Sequence, residues 1–123
     1  MKKILLLVDD EELVLKAISS QFEGDKVKVL TARDGEEGLK LALENHPDLI
    51  LLDLVMPKLD GMAMLDKLRK DEWGKGVDVI ILTNLGDAEK VSQAVENGTF
   101  EYLVKVEWNI NEVIKKIKNK LDV

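Results

Sequence analysis

Four short apolar runs in this chain end on side chains able to do chemistry. Ile4–Val8 runs into Asp9, Asp10 and Glu11, and Leu49–Leu52 runs into Asp53. Val77–Leu82 ends on Thr83 and Asn84, and Tyr102–Val104 ends on Lys105. Carboxylates brought together from two such runs repel one another unless a cation neutralises them. A donor set made only of oxygen, with no Cys or His beside it, favours Mg²⁺ or another hard divalent ion. A Thr hydroxyl and a Lys ammonium next to that ion are groups that hold a phosphoryl oxygen.

Those residues meet only if the runs before them are neighbouring strands. Helical spacing fills the gaps between the runs. Leu13, Val14, Ala17 and Ile18 mark a helix over Glu11–Phe22, and Leu39, Ala42 and Leu43 mark one over Asp34–Asn45. Between these helices, Val27–Thr31 reads as a strand, and Lys28 inside it suits a sheet edge. The second helix should stop at Asn45-His46-Pro47. Met64, Leu65 and Leu68 place a helix over Gly61–Lys70, followed by a Trp73-Gly74-Lys75-Gly76 loop. Val91, Ala94 and Val95 place another over Asp87–Asn97, closed by Asn97-Gly98. Ile110, Val113, Ile114, Ile117 and Leu121 line the last helix, with Asn109 and Glu112 spaced to cap its start. Strictly alternating strands and helices imply a doubly wound α/β fold with a parallel sheet. In that fold ligands bind outside the carboxyl ends of the strands, where the polar residues above would gather.

Composition narrows the function classes. The chain has 123 residues, 46% of them hydrophobic and 34% charged, which suits a folded domain. A net charge of −6 disfavours broad contact with nucleic acid or anionic lipid. Without cysteine there is neither a disulfide framework nor a thiolate metal site. The apolar start stops at Asp9, too soon for a secretory leader, and no run has the length of a membrane span. A cytoplasmic location is expected.

Four segments carry a family resemblance: Val8-Asp9-Asp10-Glu11, Asp53 through Gly61, Leu82-Thr83, and Tyr102-Leu103-Val104-Lys105. In order and spacing they resemble the signature of receiver domains of bacterial two-component response regulators, and the similarity covers residues 1–123 as one domain. It implies a five-stranded parallel sheet of order 2-1-3-4-5, the flavodoxin-like receiver fold. It implies that Asp53 accepts a phosphoryl group from a phosphohistidine on a sensor histidine kinase or phosphotransfer protein. Asp9, Asp10, Asp53 and the Val55 carbonyl match the Mg²⁺ site. Thr83, Asn84 and Lys105 match the phosphoryl-binding positions, and Tyr102 the aromatic that turns when Thr83 moves. No direct nucleic-acid or membrane contact is implied for this domain, and the downstream protein partner is not identified.

The chain departs from the family in three places. Val106 follows Lys105 where proline is usual, and a cis bond before Val costs about 2.5–4 kcal/mol, so a trans bond is expected. Asn84 stands where a small residue is common. Val55 and Leu85 are apolar at positions that, in the family, flank the route of the hydrolytic water, which implies a slowly decaying phosphoprotein. Other readings stay open. Asp9 and Asp10 also suit helix capping. Pro57, Asp60 and Gly61 suit a plain turn, and His46 carries no assigned role. A degenerate receiver that only binds proteins is the main alternative. A haloacid-dehalogenase-type hydrolase would need a second acid where Val55 stands, and a flavin carrier would need a phosphate loop in place of Asp9-Asp10-Glu11.

Overall fold

The two richest apolar runs form the centre of a sheet, because only there are both faces of a strand covered. In a computed structural model these are β1 (Lys3–Val8) and β3 (Leu49–Asp53). The last four residues of β1 are buried, as are all five of β3. The structure describes residues 2–22, 24, 26–53, 60–83, 101–104 and 109–123. The helix expected over Asp87–Asn97 lies outside them.

Five parallel strands pair in the order β2-β1-β3-β4-β5, with β2 at Val27–Ala32, β4 at Asp78–Thr83 and β5 at Glu101–Val104. This is the expected flavodoxin-like topology. Val8 pairs with Ala32 on one side and Leu52 on the other, and Asp53 pairs with Leu82. The mixed run from Val27 is the expected edge strand, with Lys28 exposed.

Alternation along the strands splits the core into two layers. Leu5 and Leu7 of β1 face α1 (Glu12–Ser19) and the last described helix, α4 (Ile110–Leu121). Leu6 and Val8 face α2 (Gly35–Asn45) and α3 (Gly61–Arg69). Each fully buried Leu or Ile stabilises the fold by about 1.5–3 kcal/mol of transfer free energy.

Helix boundaries follow local chemistry. Asp34 caps α2 by accepting from the Glu37 N–H at 2.8 Å, and Asp60 caps α3 from the Ala63 N–H at 2.9 Å. Asp60, which the sequence marks only as a turn former, thus also caps a helix. Asn109 caps α4 through the Asn111 N–H at 2.9 Å. His46 ends α2 in a left-handed conformation at φ 47°, where the stop was expected. The first helix changes character after Ser19, and Ser20–Phe22 forms a 3₁₀ turn.

Three apolar side chains do not face the core as their spacing suggested. Leu13 is 82% exposed, Leu43 is 39% exposed, and Ala17 is also exposed. Val14, Leu15, Ile18 and Phe22 are the inward residues of the first helical segment. On α2 the fully buried residues are Gly35, Gly38 and Ala42, and Leu39 packs half-buried beside them as its spacing suggested. A Cβ on Gly38 would lie 2.9 Å from Val8 Cγ1 and 3.0 Å from Met64 Sδ. That glycine lets α2 sit directly on the end of β1.

Trp73, half-buried against the second layer, stacks on His46 with ring centroids 4.3 Å apart. Arg69 ties the same region together by donating to the Gly74 and Val77 carbonyls, each at 2.8 Å. Burial pulls the Arg69 pKa below its usual value, and nearby Asp78 opposes that shift. Among the described residues no helix is long and apolar enough to cross a membrane.

Candidate functional site

The strand register sets the site. Because Val8 pairs with Leu52, the residues that follow them, Asp9 and Asp53, arrive abreast at the carboxyl edge of the sheet. The backbone holds Asp9 there: its N–H donates to the Ala32 carbonyl at 3.0 Å. The chain leaves β1 toward α1 on one side, and β3 leads on to β4 on the other. This is the switch point where doubly wound sheets open a crevice.

Asp9, Asp10 and Asp53 each offer a carboxylate oxygen, and these atoms lie within 4.8 Å of one another. Asp9 is 1% exposed and Asp53 3% exposed, while Asp10 faces solvent. Asp9 Oδ1 accepts from the Glu11 N–H at 2.9 Å, which orients the carboxylate and tightens the entry to α1. Asp9 is not the N-cap of α1, a position that Glu11 occupies; its bond is a local turn before the helix. Glu11, at the N-cap position of α1, makes no side-chain capping bond.

Grouping like charges out of water carries a cost of several kcal/mol per ion, which a divalent cation offsets. Three hard oxygen donors at this spacing, open to solvent on the Asp10 side, fit an ion such as Mg²⁺ that keeps several of its waters. Aspartate oxygens from β3 and from the turn after β1 thus make an acidic, cation-type pocket.

The other expected residues are placed to different degrees. Thr83 ends β4 and pairs with Val104, and Tyr102 pairs with Ile81, so the backbones of both lie at the same end of the sheet as Asp53. Val55, Asn84 and Lys105 lie outside the described residues, as do Pro57, Leu85, the Lys105-Val106 peptide and Trp108.

One residue at this edge was missed. Arg33 directly follows β2, and its Nη2 lies 3.0 Å from Glu12 Oε1 on α1. The signal was available, because Arg33 stands after the second apolar run as Asp9 stands after the first.

Comparison with known proteins bears on this geometry. A family model described as the response regulator receiver domain matches residues 5–118. The DNA-binding dual master transcriptional regulator RpaA of Synechocystis sp. is 33% identical over 114 residues, which cover 93% of this chain and 47% of that protein. Transcriptional regulatory protein SrrA of Staphylococcus aureus is 32% identical over 118 residues, which cover 96% of this chain and 47% of that protein. The chain thus spans about half the length of these relatives. Among solved structures, a response regulator receiver domain protein from Clostridium thermocellum superposes with a TM-score of 0.83 at 35% identity, over 98% of this chain and 94% of that one. The chemotaxis response regulator CheY4 of Vibrio cholerae superposes with a TM-score of 0.86 at 26% identity, over 98% and 100% of the two chains. With sequence match, topology and acidic crevice in agreement, this chain belongs to the family of response regulator receiver domains of two-component systems.

Proposed function

We propose that this domain is a signalling switch that accepts a phosphoryl group on Asp53 from a phosphohistidine of a sensor histidine kinase or histidine phosphotransfer protein. The observation that carries the reading is the convergence of Asp9, Asp10 and Asp53 within 4.8 Å at the carboxyl edge of the sheet. Family membership supports it. Residues 1–123 act as one receiver unit in this reading, and the domain works in the cytoplasm, where its donor presents the phosphohistidine. The net charge of −6 supports partners that are proteins, with no direct nucleic-acid or membrane contact by this domain.

Asp9, Asp10 and Asp53, with the Val55 carbonyl, are the groups that would hold Mg²⁺. When bound, that ion supplies neutralising charge for the phosphoryl oxygens. The protein's own residues do the rest. A carboxylate oxygen of Asp53 attacks phosphorus in line. The new O–P bond forms as the P–N bond breaks, and the imidazole nitrogen keeps the electron pair and takes up a proton. In this reading Lys105 pairs its ammonium with a phosphoryl oxygen, Thr83 donates a hydroxyl hydrogen bond, and Asn84 serves as a further phosphoryl-binding residue. The product concentrates roughly −1.5 to −2 of charge at one point. Thr83 moves toward it, Tyr102 changes rotamer, and the surface around β5 changes. A partner that prefers the new surface shifts the population.

Intact mass after incubation with Mg²⁺ and a phosphohistidine donor tests this. The parent gains one phosphoryl group and Asp53→Asn gains none. A parent without adduct supports the protein-interaction module instead. An adduct on Asp53→Asn refutes Asp53 as acceptor, and continuous turnover of small phosphodonors indicates a hydrolase.

A further inference from the structure

Arg33 stands beside the acidic cluster for reasons of register. Ala32 pairs with Val8, and the Ala32 carbonyl accepts from the Asp9 N–H at 3.0 Å. The next residue on β2, Arg33, therefore begins about one strand spacing, roughly 4.8 Å, from the Asp9 backbone. Ala32 faces the α2 and α3 layer, so alternation turns Arg33 to the α1 side. Its contact with Glu12, in the first turn of α1, agrees with that direction.

The charge problem at this edge is specific. A phosphoryl donor arrives as an anion and meets Asp9, Asp10 and Asp53 in a chain of net charge −6. Arg33 follows β2 beside the Asp9 backbone, its guanidinium meets Glu12 at the start of α1, and such a fork suits phosphoryl oxygens. It is held loosely. The Arg33 and Glu12 side chains are 63% and 52% exposed, and exposed pairs of this kind are weak. The same Glu12 oxygen also lies 3.6 Å from Lys16 Nζ. Glu12 therefore keeps a cationic neighbour when Arg33 swings away.

We propose that Arg33 leaves Glu12 to steer the anionic phosphodonor into the acidic pocket. The proposal rests on the reading that Asp53 is the acceptor. Arg33 supplies rate through long-range attraction and a transient forked contact, while the fold does not depend on it.

The test is the rate of phosphoryl labelling by acetyl phosphate with Mg²⁺, followed across ionic strength with the full chain. Arg33→Ala is expected to label about three- to tenfold more slowly at low salt, with the gap closing as salt screens the charge. Arg33→Lys is expected to recover much of the rate, and Glu12→Gln, which releases the guanidinium, to label faster than the parent. Urea midpoints should stay near that of the parent. The proposal is overturned if Arg33→Ala matches the parent at low salt, is slower by the same factor at every salt concentration, or is matched in slowness by Glu12→Gln. A parent that labels normally beside an unaffected Arg33→Ala overturns this inference alone. A parent that takes no label overturns the acceptor reading and this inference together.

Discussion

Asp10 is the member of the cluster that faces solvent, and it makes the cleanest single substitution. Asp10→Asn removes one hard anionic donor while leaving Asp9 and Asp53 in place. Mg²⁺ affinity should fall at least tenfold, on the order of the loss expected for a key ligand contact, and phosphorylation should cease. Without metal, the same change relieves like-charge repulsion, worth about 1 kcal/mol or less at this separation near water. A urea titration in EDTA should therefore show equal or slightly raised stability. Unchanged Mg²⁺ affinity would contradict the role given to Asp10. A second prediction concerns lifetime. Val55 and Leu85 offer no side-chain hydrogen bond to orient water, so the phosphoprotein should decay about one to two decades more slowly than a Val55→Asn, Leu85→Glu double variant. Equal rates would remove these residues from the account. At this scale the acidic residues were legible in the sequence, because each directly follows an apolar run. The Arg33–Glu12 pair was not, since a pairing between a strand end and a helix depends on register and tilt, which spacing along the chain does not encode.

The elements place these residues through small contacts that periodicity alone misjudges. Leu13 and Leu43 fit a helical stripe by count yet face solvent, because the inward arc of each helix is set by the surface that it meets. On α2 that surface includes Val8, which Gly38 meets directly, while Leu39 and Leu41 pack half-buried at the side of the same layer. Gly38→Ala gains up to about 1 kcal/mol in helix propensity. It loses about 1–3 kcal/mol to overpacking against Val8, a stiff side chain. Net destabilisation of about 1 kcal/mol in urea is expected, and because Val8 precedes Asp9, weaker Mg²⁺ binding should accompany it. A stabilised variant would mean that α2 has room to shift. The sequence marks helix ends at Asn109, whose side chain caps α4, and at His46, where the backbone turns left-handed. The cap at Asp60 is not distinguishable in sequence, because a turn and a cap share the same residue preferences.

For the whole molecule, alternation of strand and helix implies a parallel doubly wound sheet, while its strand order was implied by the family resemblance. The prediction at this scale is a gradient of protection. Amide exchange should be slowest at Leu5–Val8 and Leu49–Leu52, which have strands on both sides, and faster along the edge strand at Lys28–Thr31. Uniform exchange over all strands would contradict the central position of β1 and β3. That central position is also what brings Asp9 and Asp53 together, so fold and function make one claim. The claim is tested most directly by locating the phosphoryl group. The phosphoprotein, formed with Mg²⁺ and a phosphohistidine donor, is reduced with borohydride, which converts an aspartyl phosphate to homoserine, and its peptides are sequenced by mass spectrometry. The account predicts homoserine at position 53 and at no other aspartate, and homoserine elsewhere, with position 53 unchanged, would contradict it.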